Sequence, residues 1–204
     1  MTFIDTTPPG DAEGAVLEMY ERQQGAWGYV PNYAKVFCHR PEVMVRWAKL
    51  LAEIRRPLDP RRFELITFAA AHELRHSSCA LAHGKALTEF FDDDDVRAIA
   101  ERQPVDTLSE AEAEMVRFAR KVAADASAIT AEDVDALKQH GFSDADIFDI
   151  AATAAARSFF TKLLDALGSE PDAPFMSMNE QLRESLTVGR PIDTRAVETM
   201  PAAD

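Results

Sequence analysis

Apolar positions along the chain return every three to four residues, and the strict apolar–polar alternation of a half-buried strand is almost absent. No Asn-Gly or Asp-Gly pair marks a hairpin turn. The pattern predicts an all-α chain. A first helix is expected over 11–24, ending at the loop "GAWGYVPN", and a short one near 33–38. Pro41 opens a third, "PEVMVRWAKLLAEI", at a first-turn position where its missing N–H costs nothing. Residues 61–91 read either as one long helix or as two joined around 76–78, with Ser77 and Ser78 as candidate caps of the second. Asp92–Asp95 then lead into "VRAIAERQ". Further on, Ser109 and Glu112 stand in capping-box spacing ahead of "AEAEMVRFARKVAADA". Thr130 starts and Gly141 stops the next helix, and Ser143 and Gly168 bracket an Ala-rich one suited to close packing. One helical domain over 1–188 is expected, followed by a weakly ordered tail over 189–204.

Composition narrows the class of partner. The 204 residues are 47% apolar and 28% charged, an ordinary globular mixture with enough chain for a real core. A net charge of −13 excludes a basic footprint for nucleic acid and disfavours an anionic membrane surface. No apolar run approaches the ~20 residues of a spanning helix. The start "MTFIDTTPPGDAEG" has no basic region followed by an apolar run, so a cytoplasmic location is expected. Two cysteines, Cys38 and Cys79, are too few for a disulfide framework and are expected as free thiols.

Candidate chemistry gathers in "HELRHSSCALAH", residues 72–83. "HELRH" spells the zinc-protease motif, with His72 and His76 as ligands and Glu73 as base. The extended form of that motif needs a glycine where Cys79 stands and a histidine where Ala82 stands; His83 misses by one residue. The spelling is therefore read as coincidence, and no metal is expected. On a continuous helix at 100° per residue, His72, His76, Cys79 and His83 would still lie within about 60° of one another, as one stripe.

A second pattern uses the other half of the stretch. Glu64, eleven residues, His76, two residues, Cys79, three residues and His83 resembles E-x11-C-x2-C-x3-H, the signature of the alkylhydroperoxidase D-like, or carboxymuconolactone decarboxylase, family. "GYVPNYAKVFCHRPEVMVRWAKLL" is similar to the family's Val-Pro-Asn segment, and "GFSDADIFDIAATAAARSFFTKLLDALGSEPDA" to the C-terminal helix of its longer, peroxidase-related members. The resemblance covers roughly residues 8–175. It implies an all-helical homo-oligomer without cofactor. It also implies that Cys79 is the attacking cysteine and that Glu64 and His83 form its proton relay. His76 replaces the family's resolving cysteine, and Ser78 replaces a further histidine.

With no C-x-x-C pair, a one-cysteine cycle is expected, in which Cys79 reduces a hydroperoxide and an external thiol clears the sulfenic acid. Cys38 is the other candidate resolving thiol. His83, a cationic His76 and a helix N-terminus near Ser77 are all expected to depress the Cys79 pKa. The alternative is cofactor-free lyase or isomerase chemistry on a small organic acid or lactone, with Glu64, His76 and His83 passing protons. A third reading is a non-catalytic protein binding a small apolar ligand between Trp27, Tyr29, Phe159 and Phe160.

Overall fold

The computed structural model describes residues 2–201. Among them ten α-helices and four short 3-10 turns supply all the regular structure, with no strand. The helices are α1 (Gly14–Trp27), α2 (Asn32–Val36), α3 (Pro41–Arg55), α4 (Pro60–Glu73), α5 (Ser77–Leu87), α6 (Asp93–Ala100), α7 (Glu110–Asp125), α8 (Ala131–Gln139), α9 (Asp144–Ala166) and α10 (Glu180–Leu186). None is long and apolar enough to cross a membrane.

α4 is the hub. Asp59 caps it by accepting from the Arg62 N–H at 3.0 Å, and Pro60 fills its first position. Every residue from Phe63 to Ala71 is buried, as expected for a helix that is apolar nearly all round. α5, α7 and α9 pack against it. The capping boxes at Ser109/Glu112, Thr130/Asp133 and Ser143/Asp146 start α7, α8 and α9.

The segment 61–91 is two helices. α4 ends at Leu74, and Arg75 takes the left-handed conformation with φ 56°. The Arg75 N–H then reaches the His72 carbonyl at 3.0 Å and the His76 N–H the Ala71 carbonyl at 3.1 Å. This pair of reversed bonds is a Schellman stop, built on an arginine instead of the usual glycine. The cap of α5 is His76, not Ser77 or Ser78: its Nδ1 accepts from the Cys79 N–H at 3.1 Å. The break also dissolves the single stripe expected of a continuous helix.

Other boundaries differ for local reasons. α1 runs on to Trp27 because Gly25 is tolerated inside it, and Gly28, with φ 81°, is the residue that stops it. α10 is not foreseen by the periodicity. It is seven residues long, capped by Asn179 and pinned by buried Leu182 and Leu186 against α5 and α6. Residues 188–201 form no helix; the Gly189 N–H bonds to Ser77 Oγ, Asp193 N–H to the Pro171 carbonyl and Val30 N–H to the Glu198 carbonyl, each within 2.9 Å.

Most of the buried apolar side chains fall into two clusters. One joins α4 and α5 to α6–α10; the other joins α1–α3 to the second half of α9 and holds both cysteines. Glu64 and His83 lie where α4 and α5 meet the second cluster.

Candidate active site

Cys79 sits in the first turn of α5, and His83 follows one helical turn later. Glu64 comes from the start of α4, and its Oε2 lies 2.6 Å from His83 Nδ1. The fourth member is Arg157, from the middle of α9. Its Nη1 lies 3.4 Å from His83 Nε2 and 3.9 Å from Cys79 Sγ. Cys79 is 5% exposed, Glu64 9% and Arg157 3%, so water screens this group little.

Hydrogen-bond logic fixes the tautomer of His83. Guanidinium nitrogens only donate, so Nε2 must accept from Arg157 and the ring proton must sit on Nδ1, donated to Glu64. Burial holds the imidazole below its usual pKa, against the pull of Glu64. His83 is thus a neutral base whose second nitrogen is oriented by a carboxylate.

The electrostatics of the thiol run opposite to the sequence expectation. Burial pushes the Cys79 thiol above its usual range, and Arg157 draws it part of the way back. His76 does not help, because burial and the Arg157 charge lower its own pKa to about 4 and leave it uncharged. Desolvation outweighs the Arg157 charge here.

Cys79, His83, Glu64 and Arg157 line one end of a cavity of about 400 Å³. Trp27, Tyr33, Trp47, Phe63, Phe160 and Phe175 are the aromatic residues of its wall. Of the aromatics expected around an apolar ligand, Trp27 and Phe160 are in place. Tyr29 does not line the cavity, and Phe159 lies in a shallow outer groove between α3 and α9, 48% exposed.

The remaining candidates point elsewhere. His76 does not line the cavity; its Nε2 is buried 3.9 Å from Asp165 Oδ1. His72 turns toward α10, with its Nε2 3.4 Å from the Ser185 carbonyl. Glu73 is bonded to Arg102 on another face. The three named residues of "HELRH" thus face three different neighbours. Among the described residues no group of three or more His, Cys, Asp or Glu side chains is arranged to hold a metal. Cys38 lies outside the cavity wall, and its sulfur accepts from the Thr7 N–H at 3.4 Å.

Arg157 is the site residue that the motif does not contain. Its only sequence signal is a lone cation inside the apolar run "AATAAARSFF", a position where a charge is seldom buried without a partner.

No protein-family model matches the chain, and no curated protein does. Solved structures do match. A peroxidase-related protein from Ralstonia eutropha JMP134, described as an alkylhydroperoxidase AhpD core, superposes with a TM-score of 0.71 at 21% identity, over 93% of this chain and 98% of that one. The fold is that of the alkylhydroperoxidase core. A peroxidase-related protein from Silicibacter sp. TM1040 shares it with a TM-score of 0.73 at 22% identity, over 87% of this chain and 95% of that one. So does the debrominase Bmp8, solved as a Cys-to-Ala variant in complex with 2,3,4-tribromopyrrole, with a TM-score of 0.69 at 18% identity over 91% and 96% of the two chains. The match to the alkylhydroperoxidase core fold thus spans most of both chains.

Proposed function

We propose that this protein is a thiol-dependent oxidoreductase in which Cys79 reduces an organic hydroperoxide. The observation that carries the reading is one guanidinium nitrogen, Arg157 Nη1, within reach of both a buried thiol and a neutral, carboxylate-backed imidazole. His83 takes the thiol proton, Glu64 stabilises the imidazolium, and the thiolate forms against the Arg157 charge. The sulfur then attacks the terminal peroxide oxygen. The O–O bond breaks, the leaving alkoxide takes the proton from His83, and the products are an alcohol and the Cys79 sulfenic acid. An external thiol condenses with that acid, releasing water, and a second thiol frees Cys79 as a disulfide leaves. Cys38 plays no part, since it lies outside the cavity wall.

The cavity, at about 400 Å³, is an order of magnitude larger than the ~30 Å³ a water molecule occupies. That supports a hydroperoxide with an organic body over hydrogen peroxide. The debrominase of the same fold, solved with 2,3,4-tribromopyrrole, supports a planar one. Lyase chemistry by Glu64, His76 and His83 is less well served, because His76 is outside the cavity wall.

The test is turnover of cumene hydroperoxide with dithiothreitol as reductant. Cys79→Ser is expected to abolish it, and His83→Gln to slow it about 10²-fold or more. Turnover that survives Cys79→Ser would exclude the thiol as the reacting group.

A further inference from the structure

We propose that Asp172 receives a hydrogen-bond donor of the substrate, so that the molecule the cavity takes is an aromatic carrying an N–H or O–H group. Where this names the hydroperoxide, as one borne on such a molecule, it rests on the thiol reading above; the binding step does not.

Asp172 stands in the capping position of the 3-10 turn Ala173–Ser177, yet its side chain does not cap that turn. Oδ1 instead accepts from the Asn32 N–H at 2.8 Å, at the start of α2. One oxygen thus has a structural use. The other, Oδ2, accepts from no donor among the described residues. Asp172 is only 6% exposed, but Oδ2 is not sealed off and keeps accessible surface. The residue lines the aromatic cavity and not the polar pocket around Asn32 and Asp193. The open side of the carboxylate therefore faces the cavity.

This carboxylate has unmet capacity to accept. Burial raises its pKa to about 6, against the Asn32 N–H and the Lys35 charge. It is ionised at neutral pH, when a carboxylate accepts and cannot donate. The chain offers it nothing more. Lys35 is paired with Glu198 at 2.9 Å, and Tyr33 gives its hydroxyl to Gln23. A buried charge with a free acceptor costs free energy until a partner supplies the donor. In an otherwise apolar pocket, one such polar group fixes which ligand fits and which way round it lies.

The rings beside Asp172 suit a flat body. Tyr33 packs edge-on against Phe160 with centroids 5.5 Å apart, and Phe175 comes from the turn that Asp172 precedes. Burial raises the Tyr33 hydroxyl pKa, and both Asp172 and Cys79 add to the rise, so this ring feels both ends of the cavity. A planar ligand lying along it would set its donor on Asp172 and extend toward Cys79.

The experiment measures binding of indole and, separately, of benzofuran to the purified protein by equilibrium dialysis at neutral pH, with no peroxide present. The two probes match in size and shape; indole has a ring N–H where benzofuran has an oxygen. Indole is expected to bind about tenfold more tightly or better. Asp172→Asn keeps an oxygen for the Asn32 N–H and so turns its NH2 to the cavity, donor facing donor. That variant should bring the ratio to one or below. Its outcome separates Asp172 from Glu64, the other acid of the wall, which is held by His83 at 2.6 Å. Asp193→Asn removes a carboxylate outside the cavity wall and should shift the ratio less than about twofold. Equal binding of the probes to the unaltered protein, or an indole preference that survives Asp172→Asn, would overturn the proposal. The comparison on the unaltered protein needs no variant, so it stands even if Asp172→Asn does not fold. Because nothing turns over, an inert Cys79 leaves the result untouched. Equally, an absent preference leaves peroxide reactivity at Cys79 to be judged by itself.

Discussion

Cys79 and His83 share Arg157 Nη1, and the balance between burial and that charge sets how Cys79 responds to pH. Burial raises the thiol pKa and the Arg157 charge lowers it, with burial the larger effect. The free thiol is then protonated at neutral pH. Its alkylation by iodoacetamide is expected to rise about tenfold per pH unit from pH 7 to beyond the ordinary thiol value of 9.0. Arg157→Met removes the opposing charge, so at any pH in that range the reaction should be slower. A rate that levels off below pH 8 would mean that the thiolate is already formed in the resting protein. At this scale the sequence was informative about Glu64, Cys79 and His83, because a fixed spacing on adjoining helices brings them together. It was silent about Arg157, which stands 78 residues from Cys79 along the chain. It misled about His76, whose ring is spent on capping α5 and not on the cavity.

The junction between α4 and α5 decides where that ring goes. A continuous helix would carry His76 around with its neighbours; the left-handed Arg75 turns the chain and makes His76 the cap. The left-handed conformation costs a side-chain-bearing residue about 1–2 kcal/mol, which glycine avoids. Arg75 is exposed, so Arg75→Gly should raise the unfolding free energy by about 1 kcal/mol in urea denaturation. A loss of stability would show that the arginine side chain itself holds the junction. Elements with local start signals were legible: the capping boxes of α7, α8 and α9 stand in plain spacing. The break at Arg75 was not, since no glycine marks it. α10 was not either, because seven residues with two buried leucines owe their helix to α5 and α6 more than to their own pattern.

Across the whole molecule, two apolar clusters divide the work. The cluster around α4 and α7 is a plain core. The cluster of α1–α3 with α9 is rich in aromatic rings, and the cavity opens among them. All-helical architecture could be read from periodicity, because every helix of the hub buries an apolar face. The cavity could not, because it is formed by side chains from α1–α5 and α9 that converge only in the fold. The central claim concerns one atom at the end of that cavity, Cys79 Sγ. The measurement that tests it most directly is the intact mass of the reduced protein after one equivalent of cumene hydroperoxide, with dimedone present to trap a sulfenic acid. A single dimedone adduct that peptide mapping places on Cys79, absent from Cys79→Ser, is the predicted result. Unmodified Cys79, or an adduct on Cys38 instead, would contradict it.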